Sequence, residues 1–544
     1  MKKILLLSTL VLAVSWGVAA QNIDDAFFTK VSYVGAFDGI DDWTAGWANW
    51  DPVNTAYPDA TVTKGNGVFS RSGGTHILAN ETWSGVIRLN GWVYVDEGVT
   101  LTLQPGTIIR GTEKSVLVIE RGGKIHAVGS PTQPIVFTSN KGAGFRGPSD
   151  WGGLVICGKA PNNLPGGTGI AEGGIESPHG GNDPADNSGT LAFVRIEFPG
   201  YEVATGSEIN GLSFYSAGSQ TQVDHIQVSC SGDDAFEWFG GSVNAKYLIS
   251  YKTEDDDFDT DNGFCGRIQF GLILRDPNQV DSDTANGFES DNDASGSNSQ
   301  PRTKAIFSNI SGFGPAKDEA AYNALPKNHK EGASARLRRN TSIKIFNSLF
   351  LGFGRGIRLE SAGSQTAAQA DELTIQNSFI GGIYGEKFLT DGAAMTNAQL
   401  QEWFLDNKRK NRLLNNLADA QIANPFSFTN PDFRPLAGSP VFNASCWVVT
   451  SAGEISRPAR EALVANYPNP FRGTTRIELT LDRREFVQIT VYTLNGSVVA
   501  TLQNGELPGG THRFDFDARQ LPKGIYLGRV VSGEKTGILK MVAE

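Results

Sequence analysis

The feature that most restricts what this chain can fold into is a spacing. Ser216-Ala217-Gly218-Ser219-Gln220-Thr221 recurs letter for letter at Ser361 to Thr366. Around and between the two copies, apolar positions return at steps of 22 residues, from Phe236 to Phe258 and from Leu337 to Leu359. With Phe214 and Leu359 taken as equivalent inward positions, one column reads Phe214, Phe236, Phe258, Phe288, Leu337 and Leu359. A second strand comes after it in most repeats, at Val223 to Val228, Ala245 to Ile249, Ile268 to Leu274, Ile343 to Phe346 and Leu373 to Ile375. A period near 22 fits one turn of a parallel β-helix, whereas a propeller blade needs about 40 residues. The 64 glycines and the scarcity of long amphipathic periods agree with a mostly β chain rich in turns.

The pattern starts early. Val99 to Ile109, Val116 to Ile119, Gly123 to Ile125 and Pro134 to Ser139 are short apolar strands closed by Gly or Pro. With the Asp150-Trp151-Gly152-Gly153 turn they resemble the N-terminal coils of right-handed parallel β-helices of the pectin-lyase-like fold, and Asp432 to Pro440 resembles the closing turn of such folds. The fold class expected is all-β, a right-handed parallel β-helix over residues 81–449 followed by a small β-sandwich. Helical insertions are expected near 315–335 and 385–425, with Thr396 as an N-cap before Ala398 to Phe404. Residues 21–80, with Trp43, Trp47 and Trp50, are expected to cap the solenoid in preference to stacking on sugars.

Both termini carry addresses. Lys2 and Lys3 precede an apolar run from Ile4 to Val18, and small residues at Val18 and Ala20 stand before Gln21. This order predicts a secretory signal peptide over residues 1–20, too short and too interrupted for a membrane anchor. At the other end, Asn466-Tyr467-Pro468-Asn469-Pro470-Phe471 opens a run of alternating apolar residues, with turns expected at Asn495-Gly496 and Pro508-Gly509-Gly510. That opening, Tyr492 with Leu494 and Gly496, Leu521 to Tyr526, and Lys540 resemble the C-terminal sorting domain of type IX secretion. The resemblance covers 464–544, with 450–463 as linker. It implies export through the outer membrane by the type IX machinery, removal of the tail by a sortase-like peptidase, and release or attachment at the cell surface.

A formal charge of −11 argues against a nucleic-acid partner, which needs clustered Lys and Arg. Cys157, Cys230, Cys265 and Cys446 lie in a chain bound for an oxidising compartment, so one or two disulfides are expected, with the pairing left open.

The chemistry-bearing residues flank the inward column. Side chains alternate along a strand, so one outward column reads Tyr215, Glu237, Asp259, Glu289, Arg338, Glu360, and the other reads Ser213, Ala235, Asp257, Gly287, Arg336, Arg358. Coils stack about 4.7 to 4.9 Å apart, so Glu237, Asp259 and Glu289 form a file of carboxylates that something must neutralise. Three neutralisers are open. Ca2+ takes several oxygens, and Asp234, Glu237, Asp256, Asp257, Asp259, Asp261, Glu289 and Asp291 are the candidate ligands. Ladder ion pairs with the arginines are the second, and a raised carboxyl pKa suited to acid catalysis is the third.

The run from Asp255 to Gly263 is no EF-hand, because no Glu stands at the twelfth loop position and its flanks are strands. No Ser-His-Asp order is present either. Ca2+-dependent polysaccharide lyases of this fold resemble the arrangement, and that resemblance implies Arg336, Arg338 or Arg358 as the base. A glycosidase would need two acids roughly 6.5 to 9.5 Å apart. The function expected is a secreted or surface-attached, Ca2+-stabilised, non-catalytic protein that binds extracellular polysaccharide or acts as an adhesin. The alternative is a Ca2+-dependent lyase or a hydrolase working on the acidic face. The two differ in their arginines: an enzyme holds Arg336 and Arg358 across an open cleft, and a ladder pairs them directly with acids.

Overall fold

The computed structural model describes residues 23–204, 207–282, 284–447, 465–481, 484–493, 498–532 and 535–543. The expected signal peptide, the linker and the Asn495-Gly496 turn lie outside the described residues. The chain divides into two compact units, Met1–Val448 and Val449–Glu544.

The first unit is a parallel β-helix. Each early coil puts one strand on each of three faces: β1 (Val62–Lys64), β2 (Thr75–Ile77) and β3 (Glu81–Trp83) are followed by β4 (Val86–Leu89), β5 (Trp92–Val95) and β6 (Thr100–Leu103), stacked parallel on them. The face begun by β2 grows into an 11-stranded parallel sheet, and the other two run together in a 17-stranded one. Between the faces lies a dry core, including Leu212, Phe214, Phe236, Trp238, Phe258 and Phe288.

Two residues in sequence separate the inward columns, and here the register differs from the expected one. Leu212 pairs with Phe236, Phe258 and Phe288 come next in that column, and Phe214 pairs with Trp238. Leu337 and Leu359 belong to the Phe214 column, opposite Ser290. A slip of two keeps every side chain on its face, so the inward assignment holds while the neighbours change.

The corner between the third and first faces is a single residue in the left-handed region in seven coils: Phe193, His225, Tyr247, Phe270, Asn309, Asn347 and Asn377, with φ between 50° and 62°. Asn tolerates this conformation, but aromatic residues adopt it only under external constraint. The rings stack at 4.4 Å for Phe193–His225, 4.4 Å for His225–Tyr247 and 5.0 Å for Tyr247–Phe270. Trp43 and Trp47 pack on this stack from outside. Asn309 donates to the carbonyls of Tyr33 and Gly35, and Asn377 to that of Ala444. The N-terminal residues therefore form a lateral strap, with Phe28 against Ile306 and Phe346 and Asn49 hydrogen-bonded to Gln227. This corrects the expected end cap: the tryptophans cover a seam along the side of the solenoid.

Helices fill the insertions. These are α1 (Glu319–Ala324), α2 (Lys327–Glu331), α3 (Ala362–Gln369) and α4 (Asn397–Leu405). Thr396 caps α4 in a capping box with Gln399. Helix α3 begins in the second copy of Ser-Ala-Gly-Ser-Gln-Thr, whose first copy is a turn leading into the strand Gln222–Ser229. The residues downstream of each copy decide its fate: Ala367-Ala368-Gln369 favours helix, and Val223 with Ile226 and Val228 favours strand. All four cysteines are free thiols, with Cys157, Cys230 and Cys265 buried, which corrects the expectation of one or two disulfides.

The second unit is an antiparallel sandwich of a three-stranded and a four-stranded sheet. Its core includes Phe471, Ile477, Leu479, Val487, Ile489, Val491, Phe516 and Tyr526.

Candidate functional site

The acidic file stands on the outer side of the 11-stranded sheet. Ser213, Glu237, Asp259 and Glu289 are in register, and the column continues into Arg336 and Arg358. The expected file of three carboxylates is present, but Arg336, not Arg338, follows Glu289. Asp261 follows Tyr215 and Phe239 in a neighbouring column, and Arg338 donates to Asp291 one step further along. The turns that feed these strands repeat as well. Asp234 accepts a hydrogen bond from the backbone of Asp256 at 2.8 Å, and Asp256 from that of Asn286 at 2.5 Å.

Three overlapping sets of carboxylates bring oxygen atoms within 4.8 Å of one another: Asp233, Asp234 and Asp255; Asp234, Glu237 and Asp259; and Asp256, Asp259 and Glu289. Asp259 stands in two of them, and its Oδ1 is buried without a hydrogen-bond partner. Burial pushes the pKa values of Asp233, Asp234, Glu237, Asp255, Asp256 and Asp259 well above the usual carboxylate range, and neighbouring negative charges add to it. Asp261 is pushed up to about 7, mainly by burial.

Salt bridges to the file are confined to the late coils. Arg336 bridges Glu289 at 3.0 Å and Glu360 at 3.1 Å, Arg338 pairs with Glu289 and Asp291, and Arg358 pairs with Glu360 at 2.6 Å. Burial works against the charges of Arg336 and Arg338, yet their acidic partners hold both above the ordinary arginine range. Asp257 is set apart from the file. It is fully buried, paired with Arg275 at 2.7 Å and accepting a hydrogen bond from Ser250 at 2.5 Å. Asp257 is thus spent on an internal ion pair, a correction to its expected place among the ligands.

Two site residues escaped sequence reasoning. Glu172 comes from an excursion between the strands Gly153–Cys157 and Gly189–Glu197, and reaches Asn210 and Tyr215. It shares a hydrogen bond with Glu237, and partial desolvation of a side chain that keeps an exposed surface raises its carboxyl above the ordinary range. Asn210 donates to Glu237 as well. The excursion has no repeat register, so nothing in the sequence aligns Glu172 with the file.

Neither a curated protein nor a solved structure matches this chain. Residues 465–544 match the secretion system C-terminal sorting domain, so the protein is exported by type IX secretion to the outer surface or the medium. No helix among the described residues is long and apolar enough to cross a membrane. Residues 77–417 match the pectate-lyase like beta helix domain, the match spans most of the chain and coincides with the stacked coils, and the chain belongs to that family.

Proposed function

We propose that this exported protein is a Ca2+-stabilised, non-catalytic β-helix that meets extracellular glycans with its acidic sheet. The observation that carries the reading is the uncompensated segment of the file. From Asp233 to Asp259, Asp257 apart, the carboxylates make no salt bridge to arginine or lysine among the described residues, and a buried oxygen of Asp259 without a hydrogen-bond partner lies among ligand atoms within 4.8 Å. Hard oxygens in that number suit Ca2+. Asp234, Glu237 and Asp259 would hold the ion, with Asp256 and Glu289 beside them, and Asp261 and Asp291 at the rim. The bound ion would supply the positive charge that the later coils obtain from arginine.

The engagement of the arginines favours this reading over a lyase. A base must be free of its proton, and Arg336, Arg338 and Arg358 each sit against carboxylates that stabilise the charged form. One observation keeps a hydrolase as the second reading: Glu172, a surface carboxyl raised above its ordinary range, hydrogen-bonds Glu237, and a proton held between two carboxyls is what a general acid offers. The test is thermal unfolding of the exported protein in Ca2+ and in a chelator, run beside a panel of neutral and acidic polysaccharides. An equal melting temperature in both buffers overturns the Ca2+ reading, and soluble cleavage products overturn the non-catalytic one. A signal peptide over residues 1–20 is part of the proposal, and the N-terminal sequence of the exported form checks it.

A further inference from the structure

The first coil of the solenoid is open. Among the described residues, β1, β2 and β3 each hydrogen-bond a strand on one side only, so a whole turn of backbone presents unpaired edges on three faces. The coil also exposes apolar side chains: Val62 is 49% exposed, Val68 39%, Phe69 43% and Leu78 74%. The N-terminal segment leaves this end uncovered, since it lies along the side. The far end is different: α4 packs on the last strand of the acidic face, Phe388–Thr390, with Leu400 and Phe404 buried and Phe388 and Phe404 in ring contact at 5.3 Å.

We propose that two copies of this chain join end to end through their first coils. A single peptide strand satisfies one free edge, whereas another open coil offers three in the same arrangement. With the acidic face of the far end covered by α4 and the Ile375 carbonyl on another of its faces already taken by Asn411, the open coil meets its own copy, so the pairing is isologous and closes as a two-fold dimer. The turn from Val62 to Trp83 contains 22 residues, which matches the roughly 20 to 30 residues a side of a standard interface.

A two-fold axis through β2 lays β2 against its own copy, and lays β1 against β3 of the second copy, antiparallel. Val62 then faces Trp83, Thr63 faces Thr82, and Lys64 faces Glu81 across the axis. Lys64 and Glu81 already pair within one chain at 2.7 Å, so the junction gathers two cations and two anions into one alternating cluster. Such charges on a strand edge also discourage pairing with other chains.

The test is the mass of the full exported chain in solution, by light scattering and by sedimentation, with the Lys64→Glu and Glu81→Lys variants. Wild type is expected at twice the mass of one chain. Each variant alone places like charges across the axis and is expected to run as a monomer with an unchanged circular dichroism spectrum. Mixed one to one, the variants restore Glu–Lys pairs only between chains, and the mixture is expected to recover the dimer. A wild type that stays monomeric up to about 100 μM, a span typical of weak self-association, overturns the proposal. So does a mixture that stays monomeric, or a dimer indifferent to both reversals.

Discussion

Replacing Asp259 by Asn separates repulsion from ligation, because the two act in opposite directions. Asp259 shares one set of close oxygens with Asp234 and Glu237 and another with Asp256 and Glu289, each within 4.8 Å. Two unit charges at that distance repel by roughly 3.5 kcal/mol at an effective dielectric constant near 20. Unfolding a solenoid of roughly 400 residues carries an entropy of about 0.8 kcal/mol/K, so relief of one such pair raises the melting temperature by about 4 °C. Protonation of a neighbour relieves part of the same strain, which makes that figure a ceiling. In chelator at pH 8, Asp259→Asn is therefore expected to melt higher than wild type. In Ca2+ at about 100 times its dissociation constant, wild type gains about 2.7 kcal/mol, or about 3 °C, and the variant gains little. Differential scanning calorimetry in the two buffers reads both effects. A variant less stable than wild type in chelator, with an undiminished response to Ca2+, would refute the reasoning.

Three further outcomes rest on the same geometry. Arg336→Ala strands Glu289 and Glu360 with reduced compensation and is expected to cost about 3 kcal/mol in urea unfolding, with Glu289→Gln added on top recovering part of it. Without metal, Asp261, raised to about 7 by burial, binds a proton more tightly in the folded state than in the unfolded one. Its contribution is fully present below about pH 4 and is lost as pH rises from there to about 7, so the melting temperature in chelator should fall between pH 5 and 7, and a flat profile would contradict the burial. Trp47→Ala is expected to cost about 3 to 5 kcal/mol and to open residues 38–58 to limited proteolysis while the coils stay resistant, since Trp47 packs on Phe193 and His225.

The solenoid was legible in the sequence because a repeat of supersecondary structure leaves a repeat of apolar residues. Its register was legible only to within two residues. Phe214 pairs with Trp238 and not with Phe236, and alternation cannot distinguish these, since both point inward. That ambiguity moved Arg336 and Arg338 between columns while leaving Glu237, Asp259 and Glu289 in line. Parts of the chain that break the period were not legible. The strap from Phe28 to Tyr57 finds its place through contacts such as Asn309 with Gly35 and Gln269 with Thr29, more than 200 residues away in sequence. Glu172 reaches the file from an excursion with no counterpart in other coils. Asp257 resembled a ligand because it stands in an acidic run, but Arg275, on another coil, claims it.

A stack in which each coil meets only its two neighbours also limits how charge can be balanced. The column reads Ser213, Glu237, Asp259, Glu289, Arg336, Arg358, acidic in the middle and basic late. Arg336 reaches Glu289, one coil away, and Glu237 lies two coils further back, beyond direct contact. Side-chain rotation therefore cannot spread the late positive charge over the earlier acids, and the imbalance is fixed by the order of the coils. Covering the early coils with the Glu172 excursion deepens it, because water is excluded where compensation is already absent. The two ends of one column thus reach neutrality by different means: guanidinium groups in the late coils, and protons or a cation in the middle ones. Only the second depends on the medium, so the stability of the exported protein should follow external Ca2+ and pH through the coils from Gly211 to Asp291, while the coils from Arg336 to Glu360 remain indifferent to both.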